Sequence, residues 1–208
     1  MLKNILYIIA SILIFFAGLI LYGLILNSSE IPLDQALREK NVTRIENLKI
    51  VVDRSSYLVQ IYSGNVFIKS YKAVFGKNLN KIKTSGDDLV TPIGDYKVCS
   101  IDTMHKYHKF FQLSYPNEND AAEALKRGYI NQDEFEVILI SSKKNECPPP
   151  ETRLGSNIGI HGIGEFDLIF RNLPFVFNWT NGSVAISNRN IDELASIVKI
   201  GTQVKITY

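Results

Sequence analysis

His161 ends the β-like run NIGIHG, and Gly162 and Gly164 come just after it. Further on, WTNGSVAISN (179–188) reads as a turn entering a short strand, with Ser183, twenty-two residues after His161, next to Gly182. An imidazole at a strand end, facing a hydroxyl in a tight glycine turn, is the arrangement by which a general base activates a nucleophile. The same two residues also have an ordinary reading, a strand-end histidine and a turn serine. No carboxylate stands where its sequence position would mark it as the third group that orients such a base.

The remaining reactive residues are less informative. His105 and His108 lie in HKYH, a spacing that brings two imidazoles together on a helix face but not on a strand or loop. No third ligand stands at motif spacing, so both are expected to be surface histidines and not zinc ligands. Cys99 and Cys147 are far from any CxxC pattern; one disulfide in an oxidising compartment and two buried thiols both stay open. Glycines 155, 159, 162 and 164 are not a phosphate loop, because no GK[ST] follows and no helix opens there. The 23 basic and 21 acidic residues leave a net charge of +2. They form no basic stripe interleaved with aromatics, which argues against a nucleic-acid partner. No metal or organic cofactor is implied, and the oligomeric state is not legible.

Any such site needs a scaffold, and the chain divides simply. Ile5 to Leu26 is a run of 22 residues without a charge, enough to cross a hydrocarbon core of about 30 Å. Lys3 precedes it, while Glu30 and Asp34 follow. Positive charge on the leading side keeps residues 1–4 cytoplasmic and sends the rest across. A cleaved signal peptide is the competing reading, but its apolar core spans roughly 7–15 residues. Here the run is longer, with no A-x-A-like site and no lipid-accepting cysteine after it, so an uncleaved signal anchor over 5–26 is expected.

Residues 27–47 read as a polar linker with one short helix, in which Pro32 suits the first turn and Leu33, Ala36 and Leu37 share a face. From residue 48 the pattern changes to period two. Strand-like runs occur at 48–53, 57–63, 66–75, 95–101, 135–141, 156–162, 183–187 and 202–208, the second and third separated by Gly64-Asn65. Eight such runs argue a mainly β domain over 48–208, a sandwich or distorted barrel with a few short helices. One helix is expected over 119–126, ending at Gly128. Another spans 191–199, capped by Asn190 with Glu193 three residues on. Tyr57, Tyr62, Tyr71 and Phe67 are expected on strand faces, and Pro148 to Pro150 mark a rigid loop.

Taken in order, these segments resemble the L,D-transpeptidase (YkuD-type) family, which cross-links bacterial peptidoglycan through a cysteine acyl-enzyme. Ile160-His161-Gly162 matches the family's isoleucine-His-Gly, and Gly182-Ser183-Val184 matches its Gly-Cys turn with serine in place of cysteine. Thr91, Pro92, Gly94 and Tyr96 match a threonine-Pro-x-Gly-x-Tyr hairpin. FQLSYPNENDA (111–121) and WTNGSVAISNRNIDEL (179–194) resemble one branch of the family, and GTQVKI (201–206) resembles its closing strand. Many members carry histidine where Asn181 stands. The resemblance runs from about residue 48 to the C-terminus and implies an L,D-transpeptidase-like β domain in the periplasm or cell wall space, acting on stem peptides in wall biogenesis, remodelling and cell shape.

In that scheme His161 takes the hydroxyl proton and Ser183 attacks the carbonyl of the third residue of a tetrapeptide stem. Backbone N–H groups at Asn181, Gly182 and Ser183 hold the oxyanion, with Gly182 and Gly162 permitting close approach and Trp179 either walling the cleft or lying in the core. D-alanine leaves, and a second stem, a wall-linked protein or water resolves the acyl-enzyme. A serine hydroxyl is a far weaker nucleophile than a thiol with pKa about 8.5. Three readings of Ser183 therefore stand: a natural variant with weak or altered activity, a pseudoenzyme that binds wall peptide, or a cysteine-to-serine change introduced to silence the enzyme, which the retained apolar segment disfavours. The sequons at 41–43, 178–180 and 181–183 are not expected to carry glycan, given a bacterial family.

Overall fold

A computed structural model describes residues 2–27, 30–173 and 176–208. The uncharged N-terminal run forms α1 (Leu2–Asn27), a helix long and apolar enough to cross a membrane. The linker carries α2 (Leu33–Glu39), as the Leu33/Ala36 spacing predicts. Both of those side chains are buried against the domain.

Eight strands make one mixed, curled sheet. They are β1 (Leu48–Asp53), β2 (Leu58–Ser63), β3 (Val66–Lys72), β4 (Gly94–His105), β5 (His108–Leu113), β6 (Gly159–His161), β7 (Val184–Ala185) and β8 (Gln203–Thr207). Their order is β3-β2-β1-β8-β4-β5-β6-β7. β1 with β8 and β6 with β7 are parallel, and the other neighbours are antiparallel. Just past β3, Val74 bridges Ala185 of β7 and Gly76 bridges Thr180. The two ends of the strand order therefore meet, and the sheet curls into a half-barrel. Alternation drives this: Ile50 and Val52, Val59 and Ile61, and Val204 and Ile206 all point inward and are buried. The hairpin at Gly64-Asn65 forms, with Gly64 at φ 56.

Among the described residues, four further helices belong to the domain: α3 (Glu118–Lys126), α4 (Gln132–Lys143), α5 (Asp167–Phe170) and α6 (Asn188–Ala195). α6 plugs the curled sheet with Ile191 and Leu194, both fully buried. It starts earlier than 191: Ser187 is its N-cap, accepting from the Asn190 N–H, and Asn190 is itself buried inside the helix.

The run 135–141 is not a strand. It lies in α4, opened by Asn131 and Glu134 in a reciprocal capping box. A short apolar run with β-branched residues has no period that separates strand from helix, and the cap signature upstream decides it. α3 has the same kind of cap from Asn117 and Asp120. The two helices bury a small core of their own around Ala121, Ala124, Ile138 and Leu154. This excursion is stapled to the sheet, since Cys99 of β4 and Cys147 after α4 form a disulfide with Cα atoms 5.2 Å apart. The disulfide settles the choice left open for the cysteines.

Strand β5 is missing from the sequence-based set, because His108–Leu113 overlaps a segment read for its motif. Conversely, the runs 66–75, 156–162 and 183–187 shrink to the residues that actually pair. His105 and His108 face each other across the β4–β5 hairpin. His105 stacks on Phe110, while His108 Nε2 lies 2.8 Å from Asp192 Oδ1, which Lys109 also contacts. Among the aromatic residues assigned to strand faces, Tyr71 is fully buried, and Tyr62 packs edge-on against Phe67.

Candidate functional site

β6 is only three residues long, yet all three are buried. In register, Ile160 pairs with Val184 and His161 with Ala185. Ile160 and Val184 point together into the core. By the period of two, His161 and Ala185 share the opposite face, and Ser183, two residues before Ala185, shares it too. Strand spacing and rise place the Cα atoms of His161 and Ser183 about 8 Å apart, diagonal neighbours on adjacent strands.

His161 is 3% exposed. Tyr107, at the tip of the β4–β5 hairpin, stacks on its ring at 4.8 Å, and Trp179 meets it edge-on at 5.7 Å. Trp179 is half-buried and also contacts Phe170 and Tyr107, so it walls the histidine pocket and is not a core residue. The Nδ1 of His161 lies 2.6 Å from the Gly162 carbonyl oxygen. A carbonyl only accepts, so Nδ1 carries the hydrogen, and in the neutral ring the lone pair is on Nε2. The group that holds the ring is thus a backbone carbonyl one residue away, which no search for a carboxylate would find. Burial, reinforced by His105 and Lys106, pushes the imidazole down to about 4.

Ser183 is half-buried. Its Oγ accepts from the Gly159 N–H at 3.2 Å and donates to the Asn157 carbonyl at 3.4 Å. Among the described residues, no hydrogen bond joins it to His161. The turn before it is held by Thr180, whose Oγ1 donates to the Ser183 carbonyl at 2.6 Å and accepts from the Gly182 N–H at 3.2 Å. That occupies one of the three backbone donors expected to face the site and leaves those of Asn181 and Ser183 without an acceptor among the described residues. Asn181 is exposed. Gly182 has φ +125, and a Cβ there would lie 2.8 Å from the Val90 carbonyl oxygen and 2.9 Å from Ile158 Cδ1, so only glycine fits.

The turn hangs on the segment after β3. Asn178 Oδ1 accepts from the Phe75 N–H, and the Gly76 N–H donates to Thr91 Oγ1, both at 2.9 Å. The Thr91 carbonyl in turn accepts from buried Arg54 at 2.9 Å. Thr91 therefore supports the site from the hairpin motif, whereas Tyr96 lies in the core against Tyr115. On the other side Asn188 bonds both the N–H and the carbonyl of Gly164 at 2.9 Å. A Cβ on Gly162 would strike Asn188 Oδ1 and the Tyr107 carbonyl, each 2.7 Å away. Sequence reading missed Tyr107, Thr180 and Asn188. Thr180 sits inside the quoted WTNGS turn, while Tyr107 is brought in by strand pairing and carries no local signal.

Two buried groups predict opposing pH effects. The folded chain binds fewer protons at His161 than the unfolded chain between about pH 4 and 6.5, so this contribution to stability grows as pH rises. Burial pushes the Asp120 carboxyl from 3.8 up to about 6, so there the folded chain holds more protons and stability falls as pH rises. Each effect is worth about 3 kcal/mol at full extent, and over pH 4 to 6 they largely cancel. His161→Gln removes the first, so from pH 4 to 6 the variant should lose stability relative to the native chain. Chemical denaturation in detergent at both pH values checks this. A variant whose stability follows the native chain's over this range contradicts it.

No curated protein sequence matches the chain. Its fold is similar to that of the helical cell shape determining protein Pgp2 from Campylobacter jejuni, at TM-score 0.51 and 18% identity, over 83% of this chain and 54% of that one. Bd1075 from Bdellovibrio bacteriovorus is similar at TM-score 0.48 and 21% identity, over 78% and 48%. An L,D-transpeptidase from Xylanimonas cellulosilytica gives 0.43 and 15%, over 85% and 70%. The chain thus spans about half the length of the first two structures. Residues 47–206, from just before β1 nearly to the end of β8, match the YkuD family, the L,D-transpeptidase catalytic domain. With its half-barrel, its Ile160-His161-Gly162 strand and its glycine turn all inside that match, the chain belongs to the L,D-transpeptidase catalytic-domain family.

Proposed function

We propose that this domain carries out L,D-transpeptidase-type acyl transfer, or the matching hydrolysis, on the tetrapeptide stem of peptidoglycan, with Ser183 at the family's cysteine position. The supporting observation is the hydrogen bond from His161 Nδ1 to the Gly162 carbonyl, which leaves the lone pair of Nε2 to accept a proton, on a strand paired in parallel with the one that follows Ser183. The step requires a side-chain rotation that takes the Ser183 hydroxyl from Asn157 to that nitrogen. The oxygen then attacks the carbonyl of the third stem residue while Nε2 takes its proton. The amides of Asn181 and Ser183 stabilise the oxyanion. The imidazolium returns the proton to the departing D-alanine amine, and an amine or water repeats the sequence in reverse on the acyl-enzyme.

A second reading is a stem-peptide-binding protein without turnover. It is favoured by the direction of the serine hydroxyl toward Asn157 and by the weak basicity of the buried imidazole. Intact-protein mass spectrometry after incubation with tetrapeptide separates the two. Acyl transfer predicts an added tripeptidyl mass that Ser183→Ala abolishes and His161→Ala strongly reduces. Binding without any added mass supports the second reading, and an unchanged acylation rate in either variant rules out the dyad.

The domain is proposed to lie outside the cytoplasm, anchored by α1 with its N-terminus inside. Lys3 on the leading side of the helix supports this orientation, as does the Cys99–Cys147 disulfide, which belongs in an oxidising compartment.

A further inference from the structure

The short helix α5 and residues 176–177 turn large apolar side chains outward. Phe166, Leu168, Ile169 and Phe170, then Val176 and Phe177, are exposed, Phe166 by 61%. Two polar side chains among them, Asp167 and Asn172, turn inward. Asp167 Oδ1 accepts from the Asn188 N–H at 2.9 Å, and Asn172 is 1% exposed. A helix on a water-facing surface shows the reverse pattern, and a cluster of large apolar side chains aimed outward marks a surface that something covers.

The end of α1 identifies the cover. Asn27 Nδ2 donates to the Arg171 carbonyl and to Asn172 Oδ1, both at 2.9 Å, and Lys72 Nζ reaches Asn27 Oδ1 at 3.2 Å. One turn further back, a Cβ on Gly23 would collide with the Asn172 carbonyl. Residues 171–172 therefore lie alongside the last turn of the apolar helix, about 6 Å inside its polar end. With α1 across a bilayer, the outward side chains on either side of them sit at the boundary between headgroups and hydrocarbon, where apolar faces of interfacial helices bury by about 5–10 Å. Lys72 and Arg171 stand at headgroup level.

We infer that residues 166–170 and 176–177 form a lipid-contacting patch that seats the domain on the outer surface of the membrane holding α1. The patch backs directly on the site, since Phe170 packs on Trp179 at 6.2 Å and Trp179 packs on His161. Seating it fixes the histidine pocket close to the membrane surface, toward peptidyl substrates that lie there. The inference rests on the anchored reading of α1.

The full-length chain is reconstituted in phosphatidylethanolamine–phosphatidylglycerol vesicles containing a nitroxide-labelled lipid. Leu168→Cys, Phe177→Cys and Ile140→Cys variants each carry an environment-sensitive fluorophore. Ile140, on α4, is as exposed as the other two. Labels at 168 and 177 should shift to the blue and be quenched several-fold more than the label at 140. Equal quenching at all three positions, in chains that float with the vesicles, overturns the patch while leaving the anchor intact. A blue shift without quenching assigns the patch to a protein contact, such as a second copy, and also overturns it. Failure to float removes the anchor and this inference with it.

Discussion

Ser183→Cys is expected to raise the rate of acylation by stem tetrapeptide by several orders of magnitude over the native chain. A hydroxyl must surrender its proton during attack, and here the acceptor is an imidazole held by burial at about 4. A thiol gives up that proton far more readily and is a strong nucleophile even when only a few per cent ionised. The rest of the site already holds the turn and the imidazole in place. Gly182 keeps the turn tight, Thr180 holds the Ser183 carbonyl, and Gly162 fixes the histidine tautomer. The longer C–S bond also shortens the reach to Nε2. Time-resolved intact-mass measurements read the rate directly. Adding His161→Gln to the cysteine variant should remove most of the gain, because nucleophile and base act as a unit. A cysteine variant acylated no faster than the native chain means that the turn does not hold reactive geometry, and the binding reading then stands.

Replacing Cys99 and Cys147 together by serine is expected to cost about 4 kcal/mol of stability, from the entropy of a loop this long. The disulfide closes 48 residues of chain, and these contain β5, α3 and α4. The excursion has its own small core around Ile138 and Leu154. Without the staple it is tied to the sheet mainly by its neighbours, and its return path runs through Asn157, whose carbonyl takes the Ser183 hydroxyl. Loss of the bond should therefore lower both the denaturation midpoint and stem-peptide binding. Denaturation of the oxidised and reduced native chain, beside the double variant, measures the first effect. Equal midpoints in all three would show that no bridge restricts the unfolded chain, and would remove one support for an extracytoplasmic domain.

Much of the scaffold is legible because its signals are local. β1, β2 and β8 alternate apolar and polar residues, and the burial of Ile50, Val52, Val59, Ile61, Val204 and Ile206 follows that alternation. α3 was readable from its spacing and Gly128. α4 was not, since its apolar run has no distinguishing period and the Asn131–Glu134 cap lies upstream of the run. β6 and β7 are only three and two residues long, and each exists as a strand only through its partners. Their bounds follow from where pairing stops and not from residue type.

By itself the sequence determined the apolar N-terminal helix, the β-rich domain after it, and the two short segments that bear His161 and Ser183. Tertiary structure alone decided that these segments lie side by side in parallel register, that a backbone carbonyl orients the imidazole, and that Tyr107 from a distant hairpin covers it. It also decided the cysteine pairing and the outward turn of α5 against the end of α1. Periodicity, caps and turns involve residues within a few positions of one another, so they are written in the chain. A shared face between two strands depends on which strands pair and in what register, and that is settled only when the whole core is buried at once.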